Sequence, residues 1–138
     1  MKGKIQADLE VVQKVALTMD GWTSRAQDRY LGVTPHYFKS GKLESAVLDC
    51  SVLAEGGAAA KIAERVMEIM DEWNLDGKVL GIVTVNGANM ISACDLLGIP
   101  NLRCAAHFLN LCVTDAFRAS DGAREVYDHL STIVSHFK

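Results

Sequence analysis

A chain of 138 residues that is 49% apolar and 22% charged has material for one hydrophobic core and is too apolar to stay disordered. Its 14 basic and 17 acidic side chains leave a net charge of -3, which excludes the basic excess behind non-sequence-specific DNA binding. No apolar run reaches membrane-spanning length, and the opening MKGKIQADLE has no secretory apolar segment. Four widely spaced cysteines (Cys50, Cys94, Cys104, Cys112), with no C-x-x-C pair, point to free thiols in a reducing, intracellular setting.

Residues 1–14 read as a lead-in. Val15, Leu17 and Met19 then alternate in a short strand that ends at Asp20 and is broken by Gly21. In RYLGVTPHYF, Leu31, Val33 and Tyr37 occupy one face, and Tyr30, Thr34, His36 and Phe38 the other. Pro35 removes a backbone donor inside that strand, so a bulge or an unpaired edge is required there. After the SGK turn, KLESAVLDCSVL resumes β character, giving three strands of an antiparallel meander.

At Ala58 the apolar period lengthens to 3.6 residues. Ala59, Ile62, Ala63, Val66, Ile69, Met70 and Trp73 form one stripe of an amphipathic helix that stops near Asn74 and Gly77. KVLGIVTV reads as a buried strand, and Asn86 as the cap of a helix running to Leu97, closed by Gly98 and Pro100. LRCAA is a short strand or entry segment, HFLNLCVTDAF a further helix, and Val126, Leu130, Ile133, Val134 and Phe137 the stripe of a terminal helix at 122–138. Three antiparallel strands followed by alternating β and α units predict a ribonuclease-H-like α/β fold, a mixed sheet with helices on both faces. A Rossmann domain alternates from its first strand.

The segments TMDGWTS (18–24), YLGVTPHYF (30–38), EWNL (72–75), VTVNGANM (83–90) and RCAAHFLNL (103–111) occur in an order and spacing that resemble the core motifs of hAT-type transposases. That family includes domesticated relatives known as BED-type zinc finger proteins. The likeness runs from about Val15 to Lys138, and SHFK resembles the segment that leads into the family's large insertion. It implies a single partial ribonuclease-H-like domain over 1–138, truncated before that insertion.

The resemblance also implies a site. Such enzymes cut DNA with acidic residues that hold two Mg²⁺ or Mn²⁺ ions, hard cations that favour carboxylate oxygens. Asp20 matches the first acid; read without the family it is equally a residue that turns the chain after a strand. Val85 stands where the family motif has its second aspartate, and an alkyl side chain offers no lone pair to a cation. The third acid lies beyond the insertion. By the same likeness Trp22, Asn86, Asn89, Cys104 and His107 are pocket-wall or DNA-contact residues.

The residues also have plainer readings. Cys104 and His107 form a lone C-x2-H pair, and a zinc site needs four ligands, so no metal site is expected. Cys104 is otherwise a small buried residue, and His107 a helix-capping one. Trp22 and Trp73 read as packing residues; Lys61, Arg65, Lys78 and Arg103 as solvated surface.

The functional expectation is a degenerate, catalytically inactive transposase-derived domain without a cofactor, from a nuclear DNA-binding or transcription-regulating protein. Its partners would be DNA or protein reached through flanking domains, with no membrane contact, and Val126–Phe137 offers a surface for self-association. One alternative is a metal-dependent nuclease in which Asp49, Asp95 or Asp115 replaces the missing acids. A nucleotide-binding α/β module is another, although the chain has no G-x-G-x-x-G or Walker-type loop and GAN at 87–89 is too short a signal.

Overall fold

A computed structural model describes residues 2–53, 58–85 and 87–136. The described chain runs α1 (Lys2–Val11), β1 (Val15–Thr23), β2 (Arg29–Lys39), β3 (Lys42–Ser45), β4 (Asp49–Val52), α2 (Ala59–Glu72), β5 (Val79–Thr84), α3 (Ala88–Leu97), β6 (Asn101–Arg103), α4 (Ala105–Ala119) and α5 (Asp121–His136). It divides into two compact units, residues 1–104 and 105–138.

The first unit holds a mixed sheet in the order β3-β2-β1-β5-β6, with β4 also paired to β2. β1 lies antiparallel to β2 and parallel to β5, and β5 lies parallel to β6. Antiparallel strands first and parallel crossovers after them is the layout that the alternation of periods predicts. Alternate residues of each strand supply the core: Leu17 of β1, Val33 of β2 and Ile82 of β5 are at most 1% exposed. Above them lies the stripe of α2, with Ile62, Ala63, Val66, Ile69 and Met70 buried at helical spacing, and then Met90, Ala93 and Cys94 of α3. All three helices of this unit feed that one core.

Three local expectations change. β1 does not stop at Asp20; it continues through Gly21 and Trp22 to Thr23, paired along its length with β2. Gly21 serves close packing rather than a break, because a Cβ there would come within 2.5 Å of the Met90 Cε that α3 lays on the strand. The expected third strand is two pieces, β3 and β4, both on the same side of β2. Pro35 sits opposite the interruption. The Leu48 N–H donates to the Val33 carbonyl at 2.9 Å, so Val33 turns its polar groups away from β1. Pro35, two residues on, turns its donorless nitrogen the same way, into the gap between Ser45 and Asp49. The unpaired edge that the proline demands is therefore built into the partner strand.

Residues 2–11 form a helix rather than a bare lead-in. Leu9 is fully buried, with Ile5 and Val12 packed at the same edge of the core. Lys78 Nζ donates to the Leu9 and Glu10 carbonyls at 2.8 and 3.3 Å, filling acceptors that a helix C-terminus leaves open. Lys14 Nζ donates to the Gly77 carbonyl at 2.9 Å. Lys78 is thus a capping residue, and Arg65 is likewise more than solvated surface: it holds Asp49 at 3.0 Å, tying α2 to β4.

Cap chemistry differs from expectation at α3. Its N-cap is Gly87, with no side-chain capping bond, while Asn86 lies outside the described residues, as do Gly56, Gly57 and Phe137. The second unit is a helical hairpin, α4 and α5 turning at Ser120, whose carbonyl accepts from the Arg124 N–H at 2.8 Å. Neither helix has a buried residue.

Candidate functional site

The face of β1 opposite the core carries Thr18, Asp20 and Trp22, two residues apart as strand geometry requires. Their partners across the β1–β2 ladder are Thr34, Gly32 and Tyr30. Asp20 is exposed and stands over the bare backbone of Gly32. Trp22 is 44% exposed, so it is a surface residue and not part of the core, whereas Trp73 is 5% exposed and does pack inside. The Trp22 indole stacks on the Tyr30 ring with centroids 5.5 Å apart and planes 9° from parallel. It reaches back along the strand far enough that a Cβ at position 32 would lie 3.2 Å from the indole. Glycine at that position lets the ring lie down beside Asp20. On the other side of Asp20, Thr18 Oγ1 and His36 Nε2 are 3.1 Å apart.

Val85 follows β5. Met19 pairs with Thr84, the last residue of β5, so Asp20 and Val85 are the residues that follow that pair along the chain. Asp20 thus lies within β1, three residues before its end, and Val85 just after the end of β5. Val85 is partly buried and packs on the core. Thr84 is 1% exposed; its Oγ1 accepts from Asn101 Nδ2 at 2.9 Å, and the same amide lies 3.4 Å from Cys94 Sγ, linking β5, β6 and α3 beneath the site. Burial raises the Cys94 thiol pKa, partly offset by the Asn101 hydrogen bond, which keeps it in the unreactive neutral form.

The other named residues disperse. Asn89 is exposed in the first turn of α3 and lines, with Gly21, Trp22 and Met90, a cavity of 170 Å³. That is below the ~300 Å³ at which small-molecule pockets begin. Cys104 is half-buried after β6, where its N–H donates to the Thr84 carbonyl at 2.9 Å. His107 lies in α4, in the second unit. Of the acids considered as replacements, Asp49 is engaged by Arg65 and by Ser51 Oγ at 2.6 Å. Asp95 is exposed on α3, and Asp115 belongs to α4. Among the described residues no three His, Cys, Asp or Glu side chains gather in a group able to hold a metal ion.

Sequence reasoning singled out Asp20 and Val85 but passed over Tyr30, His36 and Gly32, the groups that flank Asp20. The signal was present: the alternation of β2 places Tyr30, Thr34 and His36 on the non-core face, and an antiparallel hairpin sets that face against Thr18 and Trp22.

The family model for the ZBED1 RNase-like domain matches residues 18–114, from the strand that carries Asp20 to the middle of α4. The chain belongs to the ZBED1 RNase-like domain family. It is an RNase-like domain of transposase-derived type, and its architecture is a mixed sheet with helices, of the mixed α/β class. No curated protein matches the chain. Among solved structures it is similar to the catalytic domain of the Mos1 mariner transposase, at 11% identity over 99% of this chain and 78% of that one, with a TM-score of 0.37. No helix of the described residues is long and apolar enough to cross a membrane.

Proposed function

We propose that this chain is a catalytically inactive, domesticated relative of the hAT-type transposases, working in the nucleus through contacts with DNA or protein rather than by cutting DNA. The observation that carries the reading is Val85. A two-metal phosphoryl-transfer site needs carboxylates converging from neighbouring strand ends, to neutralise the cations and orient the attacking oxygen. By the family resemblance Val85 stands at the second-acid position, and it directly follows Thr84, the β5 partner of Met19, so in this reading an isopropyl group takes the place of that acid. An apolar side chain there supplies no ligand and raises the cost of bringing a divalent cation beside Asp20. Trp22, Asn89, Cys104 and His107 serve in this reading as remnants of the pocket wall, with Trp22 the one that the fold leaves accessible on the face of Asp20.

The test is plasmid DNA incubated with the chain in Mg²⁺ and in Mn²⁺. No cleavage above buffer is expected; metal-dependent cleavage that disappears in Asp20→Ala would overturn the proposal. Val85→Asp restores a carboxylate beside Asp20. It is expected to bind Mn²⁺ measurably by titration calorimetry, where the parent chain does not.

A further inference from the structure

Within the first unit, α1 is attached to the sheet in a different way from α2. It has 10 residues, short of the roughly 12–15 at which a helix begins to hold alone in water. Leu9 is its one fully buried apolar residue, whereas α2 buries five residues along a stripe. Among the described residues, no backbone hydrogen bond joins 2–11 to another element. The polar ties come mainly from lysines: Lys2 to Glu72, Lys39 to Asp8, and Lys78 to the Leu9 and Glu10 carbonyls. They set α1 across the end of the sheet where β2 finishes and β5 begins, opposite to the end that Asp20 approaches. The Lys2 ammonium also stands 5.4 Å from the centroid of the Trp73 ring. The buried Nε1 of that indole has no hydrogen-bond partner among the described residues.

We infer that α1 is a strap that opens as a unit: residues 2–11 leave the sheet and unfold while β1–β6, α2 and α3 stay folded. Four features set this opening apart from unfolding of the whole unit. A short helix with one apolar anchor has little to hold it once that anchor leaves. Lys2 and Glu72 are exposed, so water replaces their ion pair readily. Withdrawal of α1 lets water reach the Trp73 N–H, which relieves the cost of a buried donor without a partner. The sheet also closes without α1: β1 is paired on both sides, with β2 and β5, and the Val15 N–H donates to the Lys78 carbonyl at 3.0 Å. In the open state the Lys78 ammonium and the Trp73 indole come free at the end of the sheet away from Asp20. The closed state remains the major one, with Lys78 as its latch.

The experiment is amide hydrogen exchange on the full 138-residue chain, read by mass spectrometry at rising sub-denaturing urea. Relative to free-peptide rates, amides of residues 6–11 are expected to exchange at least about a hundredfold faster than those of β1 and β5. Their rates should depend only weakly on urea, because a local opening exposes little surface. Lys78→Met keeps an unbranched stem but removes the cap, and is expected to speed residues 6–11 about tenfold. Leu9→Glu is expected to hold α1 open: residues 6–11 lose protection while β1 and β5 keep theirs and the β-sheet circular dichroism persists. In Trp22→Phe, which leaves Trp73 as the sole tryptophan, adding Leu9→Glu should shift the emission to longer wavelength. Exchange of residues 6–11 that matches β1 and β5 in rate and urea dependence overturns the inference, and so does loss of the sheet in Leu9→Glu. Neither outcome bears on DNA cleavage, so this inference and the proposed function stand or fall separately.

Discussion

Residues 1–104 and residues 105–136 are about equally well patterned in sequence, and their fates differ. α2 in the first region and α5 in the second both carry an apolar stripe at helical spacing. The stripe of α2 lies under β1, β2 and α3 and is buried; that of α5 has no buried residue. Periodicity states which face a helix will offer. Burial requires an opposing surface, and the hydrophobic stabilisation of about 1.5–3 kcal/mol per large side chain arises only where one exists.

That contrast can be broken by direct measurement. Leu17 is fully buried, and Leu17→Ala is expected to cost about 2–5 kcal/mol in urea unfolding, the range for leucine truncation in a closed core. Leu130→Ala, at an exposed position of α5, is expected to change the unfolding free energy by less than about 0.5 kcal/mol. Equal losses would mean that the second region has a core of its own.

A smaller effect probes how α1 is held. Asp8 lies against Lys39 Nζ, with the Tyr37 hydroxyl 3.5 Å away. The Lys39 hydrogen bond holds the Asp8 carboxyl below its ordinary 3.8, against the opposing effect of burial, and the same bond raises Lys39 above 10.5. A depressed acid stabilises the fold above its unfolded value and ceases to as pH falls through the folded one. The raised amine stabilises below its unfolded value and is lost as pH climbs past the folded one. Lys39→Met is therefore expected to lower the urea midpoint by a constant amount between about pH 5 and 9, and the deficit should vanish below the folded pKa of Asp8. A deficit unchanged at pH 2 would assign the loss to packing of the lysine stem instead.

The smallest effect is expected at the surface. Lys61 and Glu64 pair at 3.0 Å with both side chains about half exposed. Lys61→Ala should change stability by no more than ~0.5 kcal/mol, with the difference disappearing in 1 M salt.

Most of the sheet was legible because strand alternation and helix periodicity are local signals, and the motif order from TMDGWTS to RCAAHFLNL agreed with the family match. Pro35 called for a bulge or an unpaired edge, but that the edge would come from a break of the expected third strand into β3 and β4 was not legible. The site was legible in part. Asp20 and Val85 stand out as residue types, but their nearness follows from the β1–β5 register, in which Met19 meets Thr84 from far along the chain. Gly21 was misread because a glycine that breaks a strand and one that admits Met90 look identical along the chain. Trp22 was misjudged for a related reason: its ring lies flat over Gly32 and on Tyr30, across a hairpin whose length the β1 assignment had cut short.

The sequence by itself determined the alternation of elements and the choice of inward residues on each strand. Only the tertiary structure decided what those residues meet. It docked α1 through Lys78 and Lys14, carried β1 on past Asp20 along β2, and brought Met90 of α3 over Gly21. Inward-facing pattern is encoded within a few residues of chain, whereas the surface that completes it comes from segments brought together by folding, or from another molecule.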